Sequence, residues 1–312
     1  MRAFIFPGQG SQKVGMGADL AEASAAARET FQEVDDALNQ KLFALMREGP
    51  DAELTLTSNA QPAIMANAIA ALRVLEKDFG MKLKDAGDCV AGHSLGEYTA
   101  LCAVNAFSLT ETAKLLRLRG IAMQDAVPIG VGSMAALLGS DVETAQSLAE
   151  AAAEGQVCEI ANDNDPSQVV LSGHAQAIDR VLDMAKDHGV KRAIKIAVSA
   201  PFHCSLMGPA ALRMKNALEA TPPQAFTVPL FANVTAARVT DPAEEQALLV
   251  EQITGRVRWR ESVLAMREAG IERFVEVGGK VLAPMVGRID KEATTVSLVT
   301  MEDLENFAKE NA

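Results

Sequence analysis

The chain has 312 residues, of which 49% are hydrophobic and 22% charged, the usage of a globular protein that can bury a full core. Its 41 acidic and 29 basic residues give a net charge of −12, which argues against nucleic-acid binding because neutralising phosphates requires a basic surface. The four cysteines form no C-x-x-C pair, and no stretch approaches the length of an apolar membrane span. We therefore expect a cytoplasmic protein with reduced thiols and without structural zinc, another metal or a cofactor.

The first predicted strand, Ala3 to Phe6, leads into a glycine-rich loop. The segment "IFPGQGSQKVGMG", from Ile5 to Gly17, contains four glycines. A dinucleotide fingerprint fails because a lysine occupies the last glycine place of G-x-G-x-x-G, and a phosphate-binding Walker loop fails because its Lys-Ser/Thr pair is missing. The loop therefore needs a role other than holding phosphate.

Helices and short strands alternate in the next part of the chain. An alanine-rich helical pattern runs from Ala60 to Phe79, and "CVAGHSLGEYTALCAVNA" predicts a strand from Cys89, a tight turn and a helix that begins near Gly96. Such alternation is typical of a parallel sheet covered by helices on both faces. The predicted fold class is α/β.

The turn itself carries the pattern G-x-S-x-G, from Gly92 to Gly96. Between a strand and a helix this pattern predicts a nucleophile elbow, in which a sharp turn lifts the hydroxyl of Ser94 out of the sheet. The glycines leave room for the backbone to fold back. An ordinary loop between a strand and a helix is the alternative.

A helix with an arginine on its apolar side is predicted next. "SLTETAKLLRLRG" opens with a capping box, Ser108 and Glu111, and we expect it to stop at Gly120. On a helical wheel Arg119 falls among the apolar residues, whereas Arg117 falls outside them. A buried guanidinium requires an anionic partner, which could be an internal carboxylate or an anionic substrate.

From about residue 129 to residue 198 the order of elements changes to β-α-β-β-α-β. The strands are predicted at "GSMAALLG", "VCEIAN", "SQVVLSG" and "RAIKIAV", with helices beginning at Asp141 and His174. This is the order of a ferredoxin-like unit. We therefore predict a small inserted subdomain at 128–198 within a large catalytic domain formed by 1–127 and 199–312. Further strands are expected at "TVPLFANV" and "RFVEVG".

A serine nucleophile needs a base, and the chain offers four histidines. His93 is adjacent to Ser94 and is expected to be structural, while His174 and His188 flank an exposed helix. His203 remains, in the loop "AVSAPFHCSLMGPA", although a lone loop histidine could also be a surface residue.

These motifs together resemble the malonyl-CoA:acyl carrier protein transacylase family of fatty-acid synthesis. The resemblance rests on "FPGQGSQ", "AGHSLGEY", "MQDAVP", "SAPFHCSLM" and "EVGGKVL", which span almost the whole chain in the family's order. It implies an α/β-hydrolase-like core and an acyltransferase that moves malonyl from malonyl-CoA to the phosphopantetheine thiol of acyl carrier protein through a malonyl-serine. It also implies a monomer.

The same resemblance assigns roles to individual residues. Ser94 is the nucleophile and His203 the base, while the backbone N–H groups of Gln9 and Leu95 form the oxyanion hole, which gives the glycine-rich loop its function. Arg119 binds the free carboxylate of malonyl, for which a planar guanidinium is suited.

Two residues complete the substrate site that the resemblance implies. Phe202 stands where some members carry serine and could narrow the pocket against branched acyl groups. A backbone carbonyl near Gln252 orients His203, so no acid is assigned to that task. The sequence alone leaves open whether an acidic residue orients His203. Several aspartates lie between the serine and the histidine, as in hydrolases: Asp163, Asp165, Asp179, Asp183 and Asp187.

Basic residues that could dock an acidic carrier form two clusters. The alternative is that these clusters are ordinary solvent-exposed surface with no docking role. The clusters are Lys186, Lys191, Arg192 and Lys195, and Arg256, Arg258 and Arg260.

Two other functions compete with the malonyl transferase. A serine esterase would want an apolar acyl pocket, and a non-catalytic carrier-binding subunit would not need both a serine and a histidine.

Overall fold

The structure, a computed structural model, describes residues 1–198 and 200–311. Its strands, in chain order, are β1 (Arg2–Phe6), β2 (Cys89–Gly92), β3 (Gly132–Leu138), β4 (Cys158–Asp165), β5 (Gln168–His174), β6 (Arg192–Lys195), β7 (Leu230–Phe231), β8 (Arg238–Val239), β9 (Arg273–Val277) and β10 (Thr294–Leu298). Its helices, in the same order, are α1 (Ala18–Ala23), α2 (Ala25–Leu38), α3 (Leu42–Glu48), α4 (Asp51–Leu54), α5 (Thr57–Phe79), α6 (Leu83–Ala86), α7 (Leu95–Ala103), α8 (Leu109–Asp125), α9 (Val142–Ala153), α10 (Ala175–Met184), α11 (Gly208–Ala220), α12 (Pro242–Glu251), α13 (Trp259–Glu268), α14 (Leu282–Ile289) and α15 (Met301–Glu310). None of these helices has the length and apolar composition needed to cross a bilayer.

The large unit is built on a six-stranded sheet in the order β10-β9-β1-β2-β7-β8. All neighbouring strands are parallel except β7 and β8, which form an antiparallel pair at one edge. Strand β1 lies in the middle, so the loop after it and the turn after β2 leave the same edge of the sheet side by side. The predicted α/β class with a mostly parallel sheet is confirmed.

Both faces of this sheet are covered, as the alternation along β1 shows. Phe4 and Phe6 point into a large core that includes α5 and α8, whereas Ala3 and Ile5 point into a second core formed with α13 and α14. A strand buried on both faces needs apolar residues at every position, and β1 has them from Ala3 onward.

Helix α8 differs from its prediction at the end. Its capping box is present, since Ser108 Oγ accepts the Glu111 N–H at 3.2 Å and Glu111 Oε2 accepts the Ser108 N–H at 2.8 Å. The helix does not stop at Gly120, however, but runs on to Asp125. A Cβ at Gly120 would lie 2.7 Å from the Cα of Ser58 in α5, so this glycine allows close helix packing rather than termination.

The small unit has the predicted β-α-β-β-α-β order. Its four strands pair antiparallel in the order β4-β5-β3-β6, with α9 and α10 packed on the sheet. The sheet spans residues 132–195, inside the predicted subdomain 128–198, whose boundaries remain a prediction. Ser199, where the predicted second part of the large domain begins, and Ala312, where it ends, lie outside the described residues.

One strand of the small unit is attached to the large unit. In β4, Asp163 donates its N–H to the carbonyl of Val257 at 2.9 Å, and Val257 donates back to Ala161 at 2.8 Å. Buried carboxylates reinforce the contact, because Asp163 binds Arg260 and Asp165 binds Arg288, each at 2.8 Å. The cleft described below lies between the two units.

Candidate active site

The serine of the G-x-S-x-G pattern stands on a strained turn between β2 and α7. Ser94 has φ 54° and ψ −111°, a conformation that is unfavourable for a residue with a side chain. Both flanking glycines are required by contact. A Cβ at Gly92 would lie 1.9 Å from the backbone of Gly96, and a Cβ at Gly96 would lie 2.2 Å from the carbonyl oxygen of Phe6.

Ser94 and His203 are in hydrogen-bond contact. The Ser94 Oγ lies 2.7 Å from Nε2 of His203, and Nδ1 of the same ring lies 2.8 Å from the backbone carbonyl of Gln252. A carbonyl can only accept, so Nδ1 carries the proton and Nε2 is free to accept the proton of the serine hydroxyl. This is the arrangement of a nucleophile and its base, oriented by a carbonyl.

The imidazole of His203 is held in its neutral form. Burial, followed by the positive charge of Arg119, lowers the pKa of His203 to about 3. At neutral pH the ring is therefore an acceptor for the proton of Ser94. The aspartates between the two residues do not orient it. Asp163, Asp165 and Asp179 instead form ion pairs with arginine or lysine.

Arg119 lies inside the protein, with 1% of its surface exposed, on the side of α8 that the helical pattern indicates. Its Nη2 donates to Ser94 Oγ at 3.0 Å and to Gln252 Oε1 at 2.9 Å, and its Nη1 donates to Gln61 Oε1 at 2.9 Å. These partners are all neutral. The guanidinium is thus a buried cation beside the nucleophile, and all of these hydrogen bonds join it to uncharged groups.

Gln9 and Leu95 both line the cleft next to Ser94. Leu95 is the first residue of α7, so its N–H has no acceptor within the helix. Neither this N–H nor that of Gln9 donates to any residue in the described part of the chain. The glycine-rich loop packs directly on the elbow, because a Cβ at Gly8 would lie 2.8 Å from the carbonyl oxygen of His93. Two N–H groups are therefore available beside the serine.

The cleft has a volume of about 230 Å³. Its polar end holds Ser94, His203 and Arg119. Its remaining wall is largely apolar and includes Met123, Met134, Ile196, Val198 and Phe202. Phe202, which is 8% exposed, faces this space, and Gln252 is fully buried beneath it.

Two residues around Ser94 were not predicted from the sequence. Gln61, in α5, holds Arg119, and Asn233, just after β7, contacts the elbow. A signal for Asn233 was present, since it is the second-last residue of the predicted strand "TVPLFANV" and polar residues at the carboxyl ends of parallel strands often form sites. His93, expected to be structural, binds Asn164 of β4 at 2.9 Å and so bridges the two units.

The second basic cluster is not a free surface. Arg256 and Arg258 bind Glu261 and Arg260 binds Asp163. The first cluster is mostly exposed, around the edge strand β6, although Lys195 pairs with Asp179 at 2.6 Å.

Known proteins resemble this chain over nearly its full length. A model of the acyl transferase domain matches residues 3–288. The malonyl CoA-acyl carrier protein transacylase of Bacillus subtilis is 42% identical over 308 residues, 97% of this chain and 95% of the relative. That of Escherichia coli strain K12 is 41% identical over 297 residues, 95% of each.

Solved structures agree in fold as well. The acyl-carrier-protein-S-malonyltransferase of Bartonella henselae superposes with a TM-score of 0.96 at 49% identity, covering 99% of this chain and 98% of its own. A malonyl-transacylase solved in complex with its type II PKS acyl-carrier protein superposes with a TM-score of 0.95 at 38% identity, covering 100% and 99%. The chain therefore belongs to the acyl transferase family, among the malonyl CoA-acyl carrier protein transacylases.

Proposed function

We propose that this protein transfers the malonyl group of malonyl-CoA to the phosphopantetheine thiol of an acyl carrier protein, in fatty-acid biosynthesis. The observation that carries the proposal is the placement of a buried arginine, Arg119, within 3.0 Å of the Oγ of Ser94, which in turn contacts the neutral His203. A nucleophile next to a cation suits a short acyl chain that ends in a carboxylate. The names of the relatives give the same reaction.

In the first half-reaction Ser94 attacks the thioester. His203 Nε2 takes the hydroxyl proton as the Oγ bonds to the thioester carbon, and the N–H groups of Gln9 and Leu95 receive the oxyanion. The carbon–sulfur bond then breaks, and the CoA thiolate leaves with the proton held by His203. The product is a malonyl-serine ester.

The second half-reaction reverses these steps with a different thiol. The phosphopantetheine thiol of the carrier gives its proton to His203 as its sulfur attacks the ester carbonyl. The same two N–H groups hold the oxyanion. The ester bond breaks, Ser94 recovers its proton from His203, and malonyl leaves on the carrier.

Three further residues select and hold the malonyl group. Arg119 pairs with the free carboxylate of the malonyl group. Because the guanidinium makes its hydrogen bonds to neutral groups, its charge is available for this ion pair. Phe202 narrows the cleft beside the position of the malonyl α-carbon and disfavours branched acyl groups. Gln252 acts twice, through its carbonyl on His203 and through its side chain on Arg119.

A transfer assay tests the proposed function. The protein is mixed with malonyl-CoA and a phosphopantetheine-bearing carrier, and malonyl-carrier is followed by mass spectrometry. We expect formation by the wild type and by Ser140→Ala, a buried serine of the small unit, and none by Ser94→Ala. Hydrolysis of p-nitrophenyl esters faster than malonyl transfer would instead favour the esterase, and carrier binding without any transfer would favour a non-catalytic subunit.

The carrier is proposed to dock near the edge strand β6. Lys191 and Arg192 are exposed there, and the residues that follow β6 line the cleft. Reversing the charge of both residues should raise KM for the carrier and leave acylation by malonyl-CoA unchanged. An equal loss in both half-reactions would count against this surface.

We also propose that the protein is a cytoplasmic monomer. The resemblance supports a monomer, and the free thiols of Cys89, Cys102, Cys158 and Cys204 support a reducing compartment. Light scattering of the purified protein tests the first point, with a dimer mass as the contradicting result.

A further inference from the structure

Asn233 is a fully buried asparagine just beyond β7 whose polar groups are all engaged at the nucleophile turn or beside it. Its Oδ1 accepts the Ser94 N–H at 2.7 Å, and its Nδ2 donates to the Gly92 carbonyl at 2.6 Å. Its own N–H donates to Glu97 Oε2 at 2.7 Å, and its carbonyl accepts the Arg258 N–H at 3.0 Å.

The two side-chain bonds span the strained turn. Strand β7 pairs with β2 as far as the pair of Ala91 and Phe231, and the backbone N–H of Asn233, two residues beyond β7, donates to Glu97 rather than to the Gly92 carbonyl. The side-chain amide of Asn233 bonds that carbonyl instead. It joins the carbonyl before the turn to the N–H of Ser94, and only a group that donates and accepts at once can do so.

This bridge bears on the nucleophile because the turn determines where Oγ lies. Ser94 holds a φ of 54°, which surrounding contacts must maintain. A relaxation of the turn would move Oγ relative to His203 Nε2, now 2.7 Å away, without touching His203 itself. A shift of about 1 Å at a reacting atom can cost on the order of 100-fold in rate.

The residue that holds Asn233 belongs to a buried carboxyl pair. Glu97, in α7, and Glu245, in α12, are both fully buried. Burial raises the pKa of Glu97 to about 7, and burial together with the Glu97 charge raises the pKa of Glu245 well above its ordinary value. Glu97 therefore accepts the Asn233 N–H from a buried site in which the charged form of a carboxyl is disfavoured.

We propose that Asn233 is a positioning residue for acyl transfer, which fixes the turn carrying Ser94 by bridging the Ser94 N–H and the Gly92 carbonyl. The inference rests on the proposed function, since it concerns how the nucleophile of that reaction is placed. Asn233 does not line the cleft, so it acts through Ser94 rather than on the substrate.

The test uses two reagents that acylate or sulfonylate Ser94 by different routes. One is malonyl-CoA, and the other is phenylmethanesulfonyl fluoride, which needs an activated serine but no malonyl recognition. Rates of single modification are followed by intact-protein mass spectrometry. The variants are Asn233→Ala, which removes the bridge, and Asn233→Asp, which has the same shape but donates only when its carboxyl is protonated.

For Asn233→Ala we expect both modification rates to fall by about 10- to 100-fold, with the half-saturating malonyl-CoA concentration within about threefold of the wild type. The carboxyl of Asn233→Asp would be fully buried, and burial raises the pKa of a carboxyl, so we expect more activity than for alanine at about pH 6 and a growing deficit toward about pH 8.5 as the donor is lost. The matched control is Asn67→Ala, a buried asparagine bonded to the Gly278 carbonyl, which should retain the wild-type rates.

Several results would overturn the inference. They are alanine rates within about threefold of the wild type, equal deficits for alanine and aspartate at both pH values, or an equal deficit in Asn67→Ala. Should Asn233→Ala fail to fold, the isosteric aspartate variant carries the test. Sulfonylation of the wild type without malonylation would contradict the proposed function alone. If neither modification occurred in the wild type, the proposed function and the inference about Asn233 would both be contradicted.

Discussion

The position of the Arg119 guanidinium affects His203 and Ser94 as well as the proposed substrate. In the proposed mechanism it binds the substrate carboxylate, and its charge also disfavours a second proton on His203. It also contacts Ser94 Oγ, where negative charge begins to form when the hydroxyl loses its proton. In the proposed mechanism, substrate selection and activation of the nucleophile are thus linked through one side chain.

Replacing Arg119 by alanine should lower kcat/KM for malonyl-CoA by about 10- to 100-fold, the equivalent of about 1.5 to 3 kcal/mol for a lost charged hydrogen bond. The loss for acetyl-CoA, which has no free carboxylate, should be smaller, so the preference for malonyl falls. Single-turnover acylation with the two thioesters measures both effects.

The matched control is Arg117→Ala, on the same helix. Arg117 binds Asn59 and Gln40 away from the cleft, so its loss should not alter the malonyl to acetyl ratio. An unchanged ratio in Arg119→Ala would remove this arginine from substrate recognition.

The His203 ring should not titrate near neutrality. Its pKa of about 3 lies well below the ordinary value near 6.5, so its NMR signals should stay constant from about pH 8 down to about pH 5. The signals are assigned by their loss in His203→Asn. A midpoint between about pH 6 and pH 7 would show that the imidazole is not buried as described.

The same shift affects stability, with a definite sign. The folded state binds a proton on His203 less readily than the unfolded state does. The contribution of His203 to the free energy of unfolding is therefore fully present above about pH 6.5. It is lost progressively as the pH falls from that value toward the folded pKa of about 3.

At the level of elements, the turn after β2 was predictable because its pattern reflects local geometry. Glycines at residues 92 and 96 are required by backbone contacts, and the strand and helix on either side have recognisable periodicity. Gly120 was predicted wrongly as a helix end for the opposite reason. Its role depends on α5, whose approach cannot be read from the sequence of α8.

Substitution of Gly96 by alanine should destabilise the protein severely. The new Cβ would lie 2.2 Å from the Phe6 carbonyl oxygen, which belongs to the central strand and cannot move away cheaply. We expect a loss of about 3 kcal/mol or more in the free energy of unfolding, measured by urea denaturation.

Gly287→Ala provides the comparison, since a Cβ there meets no atom within 4 Å and the residue lies in helix α14. This change should be neutral or stabilising by up to about 1 kcal/mol. Equal effects of the two substitutions would contradict the close approach of the turn to β1.

At the level of the whole molecule, the sequence predicted two units but not how they are joined. The small unit was recognised from its order of elements, which is a local property. The contact between Asp163 and Arg260 joins residues 97 positions apart, so the aspartate was considered for catalysis and the arginine for docking. The structure instead uses them together to attach β4. Asn233 was missed in the same way, because its partners at the turn are 139 and 141 positions distant.

Breaking this attachment should destabilise the protein more than breaking a surface pair. Asp163 is fully buried, and its removal leaves Arg260 without its carboxylate, so Asp163→Ala should cost about 2 kcal/mol. Asp179→Ala, which breaks the exposed pair with Lys195, should cost less than about 1 kcal/mol. Urea denaturation of both variants measures the loss in the free energy of unfolding. Equal losses in the two variants would contradict a structural role for the buried pair.

The proposed mechanism requires that malonyl be held covalently on a single hydroxyl, that of Ser94, which lies beside His203 and Arg119. The protein is incubated with malonyl-CoA, quenched in acid, digested and mapped by peptide mass spectrometry. One malonyl group is expected on Ser94 in the wild type, and no adduct in Ser94→Ala. A malonyl group on any other residue, such as Cys204, or an adduct that persists in Ser94→Ala, would show that the nucleophile lies elsewhere.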